Sequence, residues 1–193
     1  MDDLHQSLSA IIPQERIKSR LIDLVSYASD AGFYHLVPKC VVQPASVNEV
    51  RKLFGVCREL NIPVTFRAGG SSLSGQAITD GILADLSQHW RKTVPEQEGK
   101  YVRVQPGVTG SIVNYTLKKY QSKIGPDPSS INTAMMGGIL SNNASGMCCG
   151  VKLNSYHTLR SVHLFYQMAR NIIRQMKMII TALPMNPQYY SKD

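Results

Sequence analysis

No run of about 18 apolar residues occurs, the least a membrane-crossing helix needs, so no transmembrane segment is expected. Nor is there a basic start followed by an apolar stretch. The chain opens acidic and polar, Met1-Asp2-Asp3-Leu4-His5-Gln6. A secretory leader is therefore not expected, and a cytoplasmic location is. Cysteine is scarce: Cys40, Cys57, Cys148 and Cys149, with no Cys-x-x-Cys pair, so no zinc, iron–sulfur or other metal site is expected. Cys148 and Cys149 read as reduced thiols in a tight loop, the alternative being a redox-active vicinal pair. Acidic residues are few, 13 against 21 Lys and Arg. The cations are scattered, as in Arg16, Lys18 and Arg20 or Lys118, Lys119 and Lys123, without interleaved aromatics, so no nucleic-acid partner is expected. Repeats and low-complexity segments are absent, and all 14 glycines lie at or before Gly150.

What is present suffices for one sizeable core or two small subdomains: 193 residues, 43% hydrophobic. Spacing predicts a helix over 14–27 with Ile17, Leu21 and Leu24 or Val25 inward. A short strand is expected around Val41-Val42. Ser46-Val47-Asn48-Glu49 carries a capping-box signature before a helix that turns Val50, Leu53, Phe54, Cys57 and Leu60 to one side. Strands at 62–66 and 81–86 complete a β-α-β-loop-β unit. Strands are expected at 91–94 and 101–105 around a polar turn, and a helix over 109–120 with Ile112, Val113, Leu117 and Tyr120 inward. A short helix is expected within 134–143 and a strand over 159–165, with His163 and Phe165 on one face. His157 and His163 read as loop or strand histidines rather than ligands.

Three glycine- or proline-punctuated stretches remain: 67–76, 125–130 and 137–146. The first, Arg67-Ala68-Gly69-Gly70-Ser71-Ser72-Leu73-Ser74-Gly75-Gln76, follows a strand. Glycine reaches backbone angles that other residues avoid. Consecutive N–H groups aimed into one concavity form an anion nest suited to phosphate. The run is neither Gly-x-x-x-x-Gly-Lys-Ser/Thr nor Gly-x-Gly-x-x-Gly. The residues thus point to a phosphate-containing cofactor held by neither of those modes, against a glycine-rich fold without a ligand. Arg67 reads equally as a phosphate partner or as a structural arginine bonding loop carbonyls. Asp127, between two prolines, reads as a loop-fixing acceptor rather than a catalytic carboxylate.

Five segments in order resemble the FAD-binding flavoproteins of the vanillyl-alcohol oxidase / p-cresol methylhydroxylase (PCMH) type, in the branch with D-lactate and glycolate dehydrogenases. They are Arg67 to Gln76, Asp85-Leu86-Ser87, Val104-Gln105-Pro106-Gly107-Val108, Gly125-Pro126-Asp127-Pro128-Ser129-Ser130, and Gly137-Gly138-Ile139-Leu140-Ser141-Asn142-Asn143-Ala144-Ser145-Gly146. The resemblance covers roughly residues 20–165. It implies an α+β fold, with a small β-α-β subdomain and an incomplete second mixed α/β subdomain. It also implies FAD as cofactor. Arg67, Ala68, Gly69, Gly70, Ser71, Ser72, Leu73 and Gln76 would surround the pyrophosphate, with Pro106 and Gly107 beside the cofactor. Pro126, Asp127 and Ser130 would line its middle. Gly137, Gly138, Asn142, Asn143, Ala144, Ser145 and Gly146 would line its ribityl and flavin side. Some relatives attach the flavin to a histidine of the first loop. Ser71 stands there here, so non-covalent FAD is expected. Tyr156-His157-Thr158 carries histidine where the family has glycine.

The implied activity is oxidation of a small 2-hydroxy acid such as lactate or glycolate. The implied substrate and catalytic segments lie beyond this chain, so no catalytic residue is assigned. The organisation expected is a helical lead-in over 1–35, an FAD-binding domain over 36–165 and a non-family tail over 166–193. Codons for Tyr166-Gln167-Met168-Ala169 read one base earlier give (Leu/Ile/Val)-(Pro/Ser)-(Asp/Asn)-Gly, the hairpin the family has there. One reading of the tail is therefore an out-of-frame continuation of a longer, truncated enzyme. Another is a basic amphipathic helix through Phe165, Met168, Ala169, Ile172, Ile173, Met176, Ile179, Ile180 and Leu183, suited to a partner or a peripheral membrane contact. A non-enzymatic flavin-binding fragment and a sugar-nucleotide (UDP-sugar) reductase-like flavoprotein are the alternative functions.

Overall fold

The computed structural model describes residues 2–147, 149–162 and 179–184. The chain divides into two units, Met1–Trp90 and Arg91–Asp193.

In the first unit, α1 (Asp2–Ser9) is followed by a 3-10 turn (Gln14–Arg16), β1 (Ile17–Lys18) and α2 (Leu21–Ser26). Then come β2 (Cys40–Val42), α3 (Val47–Glu59), β3 (Val64–Arg67) and β4 (Ile82–Asp85). The sheet order is β1-β2-β4-β3. Both β2 and β3 run parallel to β4, and β1 runs antiparallel to β2. Thus β2 and β3, joined through α3, leave a slot that β4 fills. All four residues of β4 are buried, as a central parallel strand requires. The core combines Leu8, Ile12 and Ile17 with Val42, Leu53, Val56 and Ile82. Ser46 Oγ accepts the Glu49 N–H at 3.2 Å to start α3. The Glu49 carboxylate reaches back to the Ala45 N–H, not that of Ser46, and takes two bonds from Arg16 at 2.7 and 2.9 Å.

The second unit begins with an antiparallel pair, β5 (Thr93–Glu96) and β6 (Tyr101–Val104). Then come α4 (Gly110–Leu117), a 3-10 turn (Lys118–Tyr120), β7 (Ser122–Ile124), α5 (Met136–Ser141), α6 (Ser155–Thr158), β8 (Leu159–Ser161) and β9 (Ile179–Pro184). β9 pairs antiparallel with β6, β7 and β8. Val102, Val104, Val113, Leu117, Ile124, Met136, Ile139 and Ile180 form the core.

Several expectations change. The helix over 14–27 is interrupted: Ile17 pairs with Val42 as a strand, and Arg20 is extended before α2 restarts. Leu21 and Val25, expected inward, are 71% and 51% exposed. Leu8 and Ile12, in the lead-in, supply that apolar contact instead. Ile112 lies one position off the buried stripe of α4 and is 42% exposed, while Val113 and Leu117 are buried. The amphipathic tail helix is contradicted at 179–184, where the chain is the strand β9 with Ile180 and Ala182 buried. Alternating burial at Ile180 and Ala182 suits a strand, and three neighbouring strands supply its hydrogen bonds. His163, Phe165 and the rest of 163–178 lie outside the described residues, as does Cys148.

Candidate functional site

The Gly/Ser run leaves the carboxyl end of β3, where Arg67 stands in register with Asp85 of β4. In open parallel sheets, ligands collect at the carboxyl ends of strands. Arg67 anchors the run. Its Nη1 donates to the carbonyls of Ser29 at 2.7 Å, Tyr27 at 3.3 Å and Ala77 at 3.4 Å. Of the two readings of Arg67, the structure thus displays the carbonyl-bonding one. The guanidinium also sits 5.5 Å from the centre of the Tyr27 ring. Gly70 folds over it with φ +64, so an added Cβ would lie 2.5 Å from Nη2. Only a residue without a side chain fits there, for both reasons.

The rest of the run is braced by its own polar groups. Ser72 Oγ donates to Gln76 Oε1 at 3.1 Å and accepts the Ser74 N–H at 3.1 Å. The Ser72 carbonyl accepts the Ala31 N–H at 3.0 Å. Gly32 packs on the Leu73 carbonyl, and the Tyr34 ring lies 3.2 Å from where a Cβ on Gly75 would stand. The backbone N–H groups of Ala68, Gly69, Gly70, Ser71, Ser72 and Leu73, in contrast, reach no acceptor among the described residues. Gly69 and Leu73 are exposed, and the other four are half-buried. A run of open N–H groups in a braced loop can take an anionic, phosphate-bearing ligand.

Sequence reasoning missed the support beneath this loop. Asp85, 2% exposed, accepts from Tyr27 Oη at 2.9 Å, Gln43 Nε2 at 3.1 Å and the Ser87 N–H at 2.8 Å. Burial first, and Asp85 second, push the Tyr27 phenol up to about 12, so it stays a donor at neutral pH. Asp85 belonged to a quoted motif but had no role. Its partners lie 58 and 42 residues away, so no local pattern linked them.

In the second unit the predicted stretches fall into two seams. The Pro106 carbonyl accepts the Gly137 N–H at 2.9 Å, and the Val108 carbonyl accepts the Met136 N–H at 2.8 Å, fixing the start of α5 beside buried Gly107. A Cβ on Gly137 would lie 2.8 Å from that of Pro106. In the other seam, the Asp127 N–H donates to the Ser145 carbonyl at 2.7 Å, and Gly146, at φ +132, packs directly on the Asp127 carbonyl. The Asp127 carboxylate faces Lys123 at 3.7 Å, and the Ser130 carbonyl accepts from Thr133 and Ala134. Pro126 is buried. Asn143, in the left-handed region, accepts the Tyr156 N–H through Oδ1 at 3.0 Å. Ala144 is held on both sides, its N–H to Ile139 and its carbonyl to Ser155. The Ser130 hydroxyl, the Asn142 side-chain amide and the N–H groups of Ser145 and Gly146 have no partner among the described residues. Gly138 is exposed, with nothing within 4 Å of an added Cβ. His157, the departure from the family pattern, is tucked onto Asn154 Oδ1 through both its N–H and Nδ1. Cys149 is a buried free thiol donating to the Gly146 and Gly150 carbonyls.

A family model described as an FAD binding domain matches residues 38–173. D-2-hydroxyglutarate dehydrogenase of Pseudomonas putida is 34% identical over 123 residues, covering 62% of this chain and 12% of that protein. The glycolate oxidase subunit GlcD of Escherichia coli is 30% identical over 130 residues, covering 66% of this chain and 26% of that one. The chain therefore spans a small part of the length of these relatives. Among solved structures, alkyldihydroxyacetonephosphate synthase superposes with a TM-score of 0.79 at 16% identity, covering 95% of this chain and 44% of the other. Substrate-bound p-cresol methylhydroxylase superposes at 0.77 with 14% identity, covering 96% and 44%. At these identities the likeness establishes the fold, the PCMH-type architecture of mixed helices and strands expected from the sequence.

Proposed function

The chain belongs to the FAD binding domain family, with 38–173 as the matching span, and on that basis we propose where the cofactor is held and what the protein does with it. The open N–H groups of Ala68 to Leu73 take the pyrophosphate. This is the observation that carries the reading: a braced loop leaves six successive donors without acceptors among the described residues. Arg67, Gln76 and Ser72 keep that loop in shape. Taken by itself, the second unit offers polar groups at Ser130, Asn142, Ser145 and Gly146 that are open among the described residues and of the kind a flavin nucleotide takes, while Pro106, Gly107, Pro126, Asp127, Gly137, Asn143 and Ala144 fix the backbone that presents them. Gly138 leaves open surface at the same place.

When bound, FAD supplies the two-electron acceptor, and the protein's part is to bind, orient and tune it. Ser71 offers no imidazole for attachment, so the flavin is held non-covalently. The substrate class is a small 2-hydroxy acid, supported by relatives named for D-2-hydroxyglutarate and glycolate.

The test is a visible spectrum of the purified protein after incubation with FAD and gel filtration, followed by acid precipitation. Co-eluting flavin that is released into the acid supernatant supports the reading. Flavin remaining in the pellet contradicts non-covalent binding, and colourless protein contradicts the site.

A further inference from the structure

The Arg67 guanidinium lies against the loop at Gly70, yet its hydrogen bonds run to carbonyls outside the 68–73 stretch. Three carbonyls from two segments converge on Nη1: Tyr27 and Ser29 between α2 and β2, and Ala77 after the loop. Gly70 packs on the guanidinium so closely that an added Cβ would lie 2.5 Å from Nη2. Tyr27, itself fixed through Oη to buried Asp85, offers both its ring and its carbonyl. We propose that Arg67 is a positioning residue: the nest is wound around its guanidinium, and Arg67 sets cofactor affinity through the loop's curvature rather than by pairing with phosphate. The inference deepens the pyrophosphate reading and rests on it for its ligand, but its first readout needs no ligand.

Planarity matters here as much as charge. A guanidinium presents fixed donors at the rim of a plane that a backbone can stack on, whereas an ammonium is a compact point charge on a flexible stem. Arg67→Lys therefore keeps the charge and loses the template. Two amides report separately on loop and strand. The Ala31 N–H bonds to the loop at Ser72, and the Leu86 N–H bonds to the strand at the Arg67 carbonyl. Amide hydrogen exchange is measured without cofactor on the full chain, its R67K and R67M variants, and G55A as a control, since a Cβ on Gly55 meets nothing within 4 Å.

The inference expects Ala31 to lose at least tenfold protection in R67K and R67M while Leu86 keeps its own, with G55A unchanged. FAD dissociation constants then rise at least tenfold in both Arg67 variants, to within about twofold of one another. Tens of millimolar guanidinium, but not methylammonium, restores part of the loss in an R67A variant. Retained FAD affinity in R67K overturns the inference in favour of direct charge pairing. Unchanged Ala31 protection in R67M overturns it because the loop then needs no template. Parallel loss at Leu86 overturns it because the role is then that of general folding. If the parent chain binds no FAD, the pyrophosphate reading fails, and the Ala31 and Leu86 comparison still decides the template.

Discussion

Arg16 and Glu49 join the approach to β1 with the first turn of α3 through a two-bond pair. The Arg16 hydrogen bonds, ahead of every other influence, hold the Glu49 carboxyl below its ordinary value of 4.5. A depressed carboxyl stabilises the fold above its unfolded value and loses that contribution as pH falls through the folded one. Glu49→Gln should therefore cost about 1–2 kcal/mol near neutral pH. It should also flatten the acid side of the stability profile below about pH 4.5. Urea melts across pH 3–7 (a range of about four units, chosen to bracket the carboxylate values) check this, and superimposable acid limbs for parent and variant would contradict it. At this scale the sequence was legible where neighbours are close in the chain: Ser46 caps α3 as its signature implied. Asp85, Tyr27 and Gln43 were not legible, because their meeting depends on how β4 enters the sheet.

At the scale of elements, two glycines in the motif 137–146 do different work. Gly146 abuts the Asp127 carbonyl in a backbone region that side chains avoid, so Gly146→Ala should cost about 2 kcal/mol or more. Gly138 lies inside α5 with open space around it, so Gly138→Ala should be neutral or stabilising by about 0.5–1 kcal/mol. Thermal melts of the two single variants distinguish them, and equal melting shifts would contradict the packing described. Helical spacing through Ile179, Ile180 and Leu183 fits the apolar pattern as well as a strand does. Over so short an apolar run periodicity cannot separate the two, and only the strands at β6, β7 and β8 decide for a sheet. The same limit explains the 14–27 region, where Ile17 and Leu21 share helical spacing yet belong to a strand and a separate helix. The family, by contrast, was readable because the five segments that carry the resemblance are each short local runs, independent of long-range pairing.

At the scale of the molecule, β9 is the one described element beyond residue 162 and pairs with three strands of the second unit. A chain ending at Val162 leaves the β6, β7 and β8 edges unpaired and removes Ile180 from the core, so it should lose cooperative melting and aggregate. Light scattering and calorimetry on that variant test this, and an unchanged transition would show that β9 contributes nothing. None of the described helices is long and apolar enough to cross a membrane. We propose that the 68–73 loop holds the diphosphate of FAD. The most direct measurement is a titration of FAD, followed by flavin fluorescence, in competition with ADP and, separately, with riboflavin. ADP, which carries the diphosphate, is expected to displace FAD, and Gly70→Ala to weaken FAD and ADP alike while leaving riboflavin binding within about twofold. ADP that fails to compete, or a Gly70→Ala variant with undiminished FAD affinity, would contradict it.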